Sequence, residues 1–212
     1  MRGKRVPDYG SGIYPGPTTS AIQDPGWADP NLKWGWLGDS ISYRCASRLR
    51  TAFSQAGVDS FAVRAHSGQN WAGSLTWLDS LTYLPDRLVI ALGSNDVQNP
   101  FGVPAQLERL AGILAGQVEL FLVDTYVNRP AYVGHDLRNS GQVNGYLRQA
   151  VADDHMVDWV ANLTAAVGRG NPISYYIDGG GVHPWDGVGN GHGDGCDYFT
   201  AVAMATLKPY LT

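Results

Sequence analysis

Short apolar runs alternate with stretches of helical periodicity from about residue 32 to the end of the chain. The apolar runs predict strands at about 33–38, 58–65, 87–92 and 118–123, and a weaker one at 155–159. The helical stretches predict helices at about 42–56, 70–81, 103–115, 139–152 and 198–208. Because strand and helix alternate, the pattern favours an α/β fold, a three-layer α/β/α sandwich around a central, mostly parallel five-stranded sheet. Such sheets bind ligands at the carboxyl ends of their strands.

The first 31 residues lack this pattern. They carry five prolines and several glycines without periodicity, which predicts an extended N-terminal arm on residues 1–31 and one folded domain on 32–212. We expect the arm to contact a neighbouring domain or assembly. Its basic opening is followed by proline and glycine instead of an apolar segment, so it does not resemble a secretory signal.

Composition narrows the class of protein. Hydrophobic residues make up 44% of the 212 residues, and charged residues only 16%, which excludes intrinsic disorder. No run of about twenty apolar residues predicts a transmembrane segment. The net charge is −4 and no basic stripe is present, which argues against nucleic acid as a partner. The 27 glycines are well above the usual share.

Ser40 lies where the first predicted strand, ending WGWLGDSIS, passes into a helix. Its backbone N–H is then exposed at the helix N-terminus, where the helix dipole favours negative charge. The more common explanation for a serine at this kind of turn is an ordinary N-cap.

Two further hydrogen-bond donors follow the next two strands. Gly68 can bring a bare backbone N–H close to a ligand, and the Asn95 amide can donate to an oxyanion. Each is also explained by a turn. If the three strands are neighbours, Ser40, Gly68 and Asn95 face one crevice.

His183 is the best candidate for a general base. It lies in the loop sequence YYIDGGGVHPWDG, away from any apolar face. The remaining histidines lack such a setting and are interpreted as structural or surface residues: His66, His135, His155 and His192.

Four short blocks, in order and spacing, resemble those of the SGNH (GDSL-type) esterase family over about residues 32–212. They are GDS at 38–40, Gly68, GSND at 93–96 and VHP at 182–184. The resemblance implies a flavodoxin-like SGNH hydrolase fold and a carboxylic ester hydrolase that needs no metal and no organic cofactor. It implies Ser40 as nucleophile, His183 as base, and an oxyanion hole of Ser40, Gly68 and Asn95.

The acidic member of the triad departs from the family pattern. The family usually places an aspartate three residues before the histidine, where this chain has Gly180. The nearest preceding acid is Asp178, five residues before His183, and a glycine-rich bulge can fold it back onto the imidazole. Asp186, Asp194 or a backbone carbonyl are the alternatives for orienting the histidine.

Two cysteines and two tryptophans adjoin these blocks. In the family fold, Cys45 and Cys196 both flank the active-site end, so the resemblance makes a disulfide between them plausible, and a disulfide implies an oxidising compartment. Trp71 and Trp185 lie within three residues of Gly68 and His183. They either line an acyl or sugar pocket or pack in the core.

The segment HGDGCD at 192–197 contains side chains that can bind metals, but it lacks the spacing of a zinc finger or calcium loop. We interpret it as a glycine-rich loop and expect no metal.

The expected function is ester hydrolysis by a Ser-His(-Asp) acyl-enzyme mechanism. Low charge and many aromatic residues favour an acylated glycan as substrate, with O-deacetylation of polysaccharide or cell-envelope material, although a small acyl ester also fits. An extracellular, envelope or virion-associated location is favoured over the cytoplasm. The alternatives are a degenerate SGNH domain that only binds glycan, and an acyl-thioesterase or lipase. Fold alone does not choose among them.

Overall fold

A computed structural model of the chain describes residues 21–132, 134–189 and 191–211. Its centre is a six-stranded sheet with the strand order β1-β3-β2-β4-β5-β6. The strands are β1 Ala21–Gln23, β2 Trp34–Gly38, β3 Phe61–His66, β4 Arg87–Ala91, β5 Glu119–Val123 and β6 Met156–Val157. Neighbouring strands from β3 to β6 pair in parallel, whereas β1 pairs antiparallel with β3.

Helices cover both faces of the sheet. They are α1 Ser40–Gln55, α2 Trp71–Leu78, α3 Val103–Leu114, α4 His135–Ala150, α5 Trp159–Gly168 and α6 Gly195–Leu207. The buried side chains of α1, α5 and α6 belong to one core cluster, and those of α2, α3 and α4 belong to a second. This is the predicted three-layer α/β/α sandwich.

The strand sequences explain the two cores. In β2, all five residues are buried, as expected for a parallel strand covered on both faces. Trp34 and Trp36 belong to the first cluster, with α1, α5 and α6, whereas Leu37 belongs to the second, with α2, α3 and α4. The same alternation places Val89 of β4 in the first cluster and Ile90 in the second. In the described part of the chain, no helix has the length and apolarity needed to span a bilayer.

The folded body starts earlier than residue 32, the start that the sequence pattern predicts. The sheet has six strands, not five, because β1 comes from the region assigned to the arm. Trp27 is buried, and its ring packs edge-on against Trp77 at 5.0 Å. Asp24 pairs with Arg50 of α1 and accepts from the Val63 backbone N–H. Residues 21–31 therefore pack on the body, while 1–20 lie outside the described residues.

Two helical assignments also change. Helix α5 was not predicted. Trp159, which was expected to end a strand, is the first residue of this helix. Helix α4 starts four residues earlier than expected, directly after Gly134, whose φ is +79°. The other predicted elements match the observed ones to within about three residues at each end.

Candidate active site

Ser40 is the first residue of α1, and one residue separates it from the end of β2. The N-cap is Asp39, whose carboxylate accepts a hydrogen bond from the Ile41 backbone N–H at 3.0 Å. The turn is so tight that a Cβ on Gly38 would lie 2.0 Å from Ser42 Oγ. The alternative role of Ser40 as a cap is therefore not the one observed, and its hydroxyl is available to a partner from outside the helix.

That partner is His183. Its Nε2 lies 2.8 Å from Ser40 Oγ, within hydrogen-bond distance. On the other side of the ring, Nδ1 lies 3.6 Å from Asp178 Oδ2. The imidazole is 29% exposed and the Asp178 side chain 12%, so the base remains open to a ligand while the acid behind it is mostly enclosed.

The triple glycine folds Asp178 back towards His183. The Asp178 backbone N–H donates to the His183 carbonyl at 2.8 Å, and Ile177 and Pro184 form an antiparallel bridge. The Gly181 N–H donates to the Asp178 carbonyl at 2.9 Å and closes the turn. We call residues 177–184 the triad hairpin. It brings an acid that lies five residues before His183 next to the imidazole.

The hairpin rests on the loop that follows β5. The Asn128 N–H donates to the Gly181 carbonyl at 2.9 Å. Gly181 has a φ of +73°, and a Cβ there would lie 2.1 Å from the Asn128 carbonyl oxygen. Glycine is thus required at this position both by the backbone conformation and by the close approach.

The carboxylate of Asp178 has fixed partners. Arg44 of α1 donates to Oδ2 at 2.9 Å, and the Gly180 N–H donates to Oδ1 at 3.1 Å. Burial raises the pKa of Asp178, but the interactions with His183 and Arg44 lower it by more, so its pKa lies below the ordinary value. The group is therefore ionised at neutral pH, as needed to stabilise an imidazolium.

The alternative acids do not reach the histidine. Asp186 and Asp194 both pair with Arg48, at 2.7 and 2.8 Å. Asp194 also caps α6, where it accepts from the Asp197 N–H at 2.9 Å. These contacts give the 192–197 segment a structural role.

The loops that carry the candidate oxyanion donors are linked to one another. Ser94 Oγ donates to the buried Asp39 carboxylate, which joins the loop after β4 to the turn before Ser40. Asn95 Nδ2 donates to the Gln69 carbonyl at 2.9 Å, which joins it to the loop after β3. A side-chain amide has two N–H groups, and Asn95 Nδ2 makes its second, longer contact with Ser94 Oγ at 3.4 Å. The neighbouring Gly68 is exposed, with a φ of +75°.

Two acids in these blocks were not among the predicted site residues, the buried Asp39 and the partly buried Asp96. Burial raises the pKa of Asp39, and the Ser94 and Ile41 hydrogen bonds oppose it. Burial also raises the pKa of Asp96 to about 6, despite hydrogen bonds from the Trp71 N–H. Both acids belong to the GDS and GSND blocks, which was the available signal. No sequence motif indicated Arg44, because its partner Asp178 lies 134 residues further along the chain.

The two candidate pocket tryptophans have different environments. Trp71 is fully buried in the core cluster of α2, α3 and α4, so core packing is the one of its two alternatives that is observed. Trp185 is partly exposed. Its ring stacks on His192 at 4.0 Å, and its Nε1 donates to the Ser174 carbonyl at 3.0 Å.

Cys45 and Cys196 form a disulfide that joins α1 to α6. Among the residues that the structure describes, no group of three or more His, Cys, Asp or Glu side chains is arranged to hold a metal ion.

The similarities found between this chain and known proteins are similarities of structure. No protein-family model and no curated protein matches the chain. The C-terminal catalytic domain of a peptidoglycan O-acetyltransferase from Streptococcus pneumoniae is similar at 16% identity, with a TM-score of 0.66 over 84% of this chain and 94% of that one. A member of the lipolytic G-D-S-L family from Veillonella parvula gives 14% identity and a TM-score of 0.60, over 84% and 96%.

A catalytic mutant of an acetylxylan esterase from Geobacillus stearothermophilus is also similar, at 13% identity and a TM-score of 0.61, over 85% of this chain and 94% of that one. These similarities cover almost the whole of each structure compared. The fold expected from the sequence resemblance is thereby confirmed.

Proposed function

We propose that this chain, which has the fold of the SGNH (GDSL-type) hydrolases, is a serine esterase that cleaves carboxylic esters through an acyl-enzyme. The observation that carries the proposal is the relay from Ser40 Oγ to His183 Nε2 at 2.8 Å, with Asp178 behind Nδ1. A nucleophile, a base within hydrogen-bond reach and a third group that orients the base are the parts that acyl transfer requires.

The reaction follows from this geometry. His183 Nε2 takes the proton of Ser40 as Oγ attacks the ester carbonyl carbon, and the ionised Asp178 stabilises the imidazolium that forms. The Ser40 and Gly68 N–H groups and the Asn95 amide hold the oxyanion. The C–O bond to the alcohol then breaks, and His183 returns the proton to the leaving oxygen. Water, activated by the same base, releases the acid and restores Ser40.

The substrate class that we propose is an O-acetylated glycan of a polysaccharide or cell envelope. In support, two similar structures are named a peptidoglycan O-acetyltransferase domain and an acetylxylan esterase. The Cys45–Cys196 disulfide supports an oxidising, extracellular or envelope location. Trp185, which is partly exposed and two residues along the chain from His183, is the aromatic side chain that we propose for contact with the sugar.

The test combines labelling with turnover. A fluorophosphonate probe should modify Ser40, mapped by peptide mass spectrometry, and Ser40→Ala should abolish labelling and hydrolysis of 4-nitrophenyl acetate. Ser47→Ala is the matched control, since Ser47 is an exposed serine on the same helix. Acetate release from acetylated xylan and acetylated peptidoglycan then identifies the glycan.

Other outcomes point to the competing functions. Modification at another residue would overturn the site. Glycan binding without turnover of any ester would indicate a binding module, and preference for acyl-thioesters or long-chain esters would indicate a thioesterase or lipase.

A further inference from the structure

We propose that Arg44 is a positioning residue for the Asp178–His183 pair, holding the triad hairpin against the helix that carries the nucleophile. The inference rests on the proposed function and adds to it a part that the four sequence blocks do not contain. Arg44 is not expected to touch the substrate, and acts through the carboxylate that it binds.

The first observation is the placement of Arg44 on α1. Ser40, Arg44 and Arg48 are spaced by four residues, so they lie along one face of the helix. Each of them contacts the segment 178–197: Ser40 contacts His183, Arg44 contacts Asp178, and Arg48 contacts Asp194. We call this face the α1 seam. Cys45, next to Arg44, is bonded to Cys196 at the far end of the same segment.

The second observation is that one guanidinium binds both ends of the hairpin. Arg44 Nη1 donates to Asp178 Oδ2 at 2.9 Å and to the Pro184 carbonyl at 3.3 Å. Both charged side chains are mostly enclosed, at 21% and 12% exposed, so solvent screens the pair less than a surface ion pair. Planar arginine suits this task because its N–H groups have fixed relative directions.

The third observation concerns the turn itself. Three successive glycines separate Asp178 from Val182, and glycine loses more conformational freedom on folding than any other residue. The turn therefore needs partners outside itself to hold one conformation. On one side the partner is the Asn128 backbone, and on the other side it is Arg44.

Arg44 also sets the charge around the base. The charged groups that interact with the Asp178–His183 pair from the elements packed against it are Arg44 of α1 and Asp39 before α1, whereas Arg129 of the loop after β5 approaches Gly181 with its backbone. Arg129 is already paired with the buried Asp136. Asp178 Oδ2 is thus shared between His183 and one neighbouring cation, Arg44.

The test compares Arg44→Met with Arg48→Met. Without the cation beside the carboxylate, protonation of the base becomes easier, so the acid limb of kcat/KM for 4-nitrophenyl acetate should move to higher pH by roughly half a unit to one unit. The limiting kcat should fall about tenfold or more, because the base loses its fixed orientation. Arg44→Lys keeps the charge and should restore most of the pH midpoint, but not the full kcat. Arg48→Met should leave the midpoint unchanged.

A purely structural role would lower the melting temperature and kcat while leaving the acid limb in place, and that result would overturn the inference. An equal shift in Arg48→Met would do the same. If Arg44→Met does not fold, Arg44→Gln takes its place in the comparison.

A readout without turnover separates this inference from the proposed function. Carbon-13 NMR of the Asp178 carboxyl should show its pKa rising towards the ordinary aspartate value in Arg44→Met, even if the wild type hydrolyses no ester. An unchanged carboxyl titration would refute the inference while leaving the esterase assignment intact.

Discussion

The triple glycine of the triad hairpin allows a direct test of whether glycine is required at one of its positions and not at another. Gly181→Ala places a methyl group on a residue with a φ of +73° and directs it at the Asn128 carbonyl oxygen, at 2.1 Å. Gly179→Ala is the matched control, since a Cβ there meets nothing within 4 Å. The two substitutions change the same residue type, two positions apart, by the same methyl group.

The expected magnitude follows from the geometry. A left-handed conformation costs a non-glycine residue roughly 1–2 kcal/mol. Relieving the contact moves the hairpin by about 1 Å and weakens the Asn128-to-Gly181 hydrogen bond, which contributes about 1 kcal/mol. A loss of about 2–3 kcal/mol corresponds to a fall in melting temperature of roughly 4–12 °C for a chain of this length. A displacement of about 1 Å at the base costs about a hundredfold in rate.

Scanning calorimetry and 4-nitrophenyl acetate hydrolysis measure the two effects on the same samples. Gly179→Ala should match the wild type in both. The reasoning fails if Gly181→Ala melts and turns over like the wild type. It also fails if Gly179→Ala is affected as strongly, because the effect would then be a general loss of flexibility in the turn.

Three further predictions concern the disulfide, the oxyanion hole and a partly buried acid. Replacing Cys45 and Cys196 by serine should destabilise the fold by about 5 kcal/mol in the chain-entropy model, and unchanged chemical denaturation would contradict this. Asn95→Ala should lower kcat by about 100- to 1,000-fold, so intact turnover would remove Asn95 from the site. Asp96 has a pKa of about 6, so the folded chain keeps a proton that the unfolded chain loses near pH 4, and stability falls as pH rises from 4 to 6. Asp96→Asn should reduce that fall, as measured by melting temperature against pH, and the remainder comes from Asp124, whose pKa burial also raises to about 6.

The central sheet was predictable because its strands are nearly continuous apolar runs. Most residues of β2, β4 and β5 are buried. Burial on both faces of a strand requires successive apolar residues, and such a run is visible in the local sequence. By contrast, β1 has only three residues, and its ends are exposed. It is held by pairing with β3 and by the contact between Asp24 and Arg50. Neither contact leaves a local pattern.

The site shows the same division. Ser40 and His183 could be proposed because each lies in a short motif on a predictable element. The orientation of Asp178 depends on Arg44 and on the backbone at Asn128, which are distant in sequence. The burial of Trp71 was not readable from its position near Gly68, since it results from the packing of α2 against the sheet. Pairwise tertiary contacts, not local propensity, determined these features.

The α1 seam fixes the segment that carries the candidate base. Residues 178–197 are bound to α1 by ion pairs and a disulfide. The segments after β4 and β5 carry exposed apolar side chains, including Phe101 and Tyr132. Substitution of these two exposed side chains should therefore leave the contacts among Ser40, His183 and Asp178 unchanged, whereas substitution of Asn95 in the first of these segments should not leave the site intact. For a designer, the chain separates the part that holds the chemistry from the part open to variation.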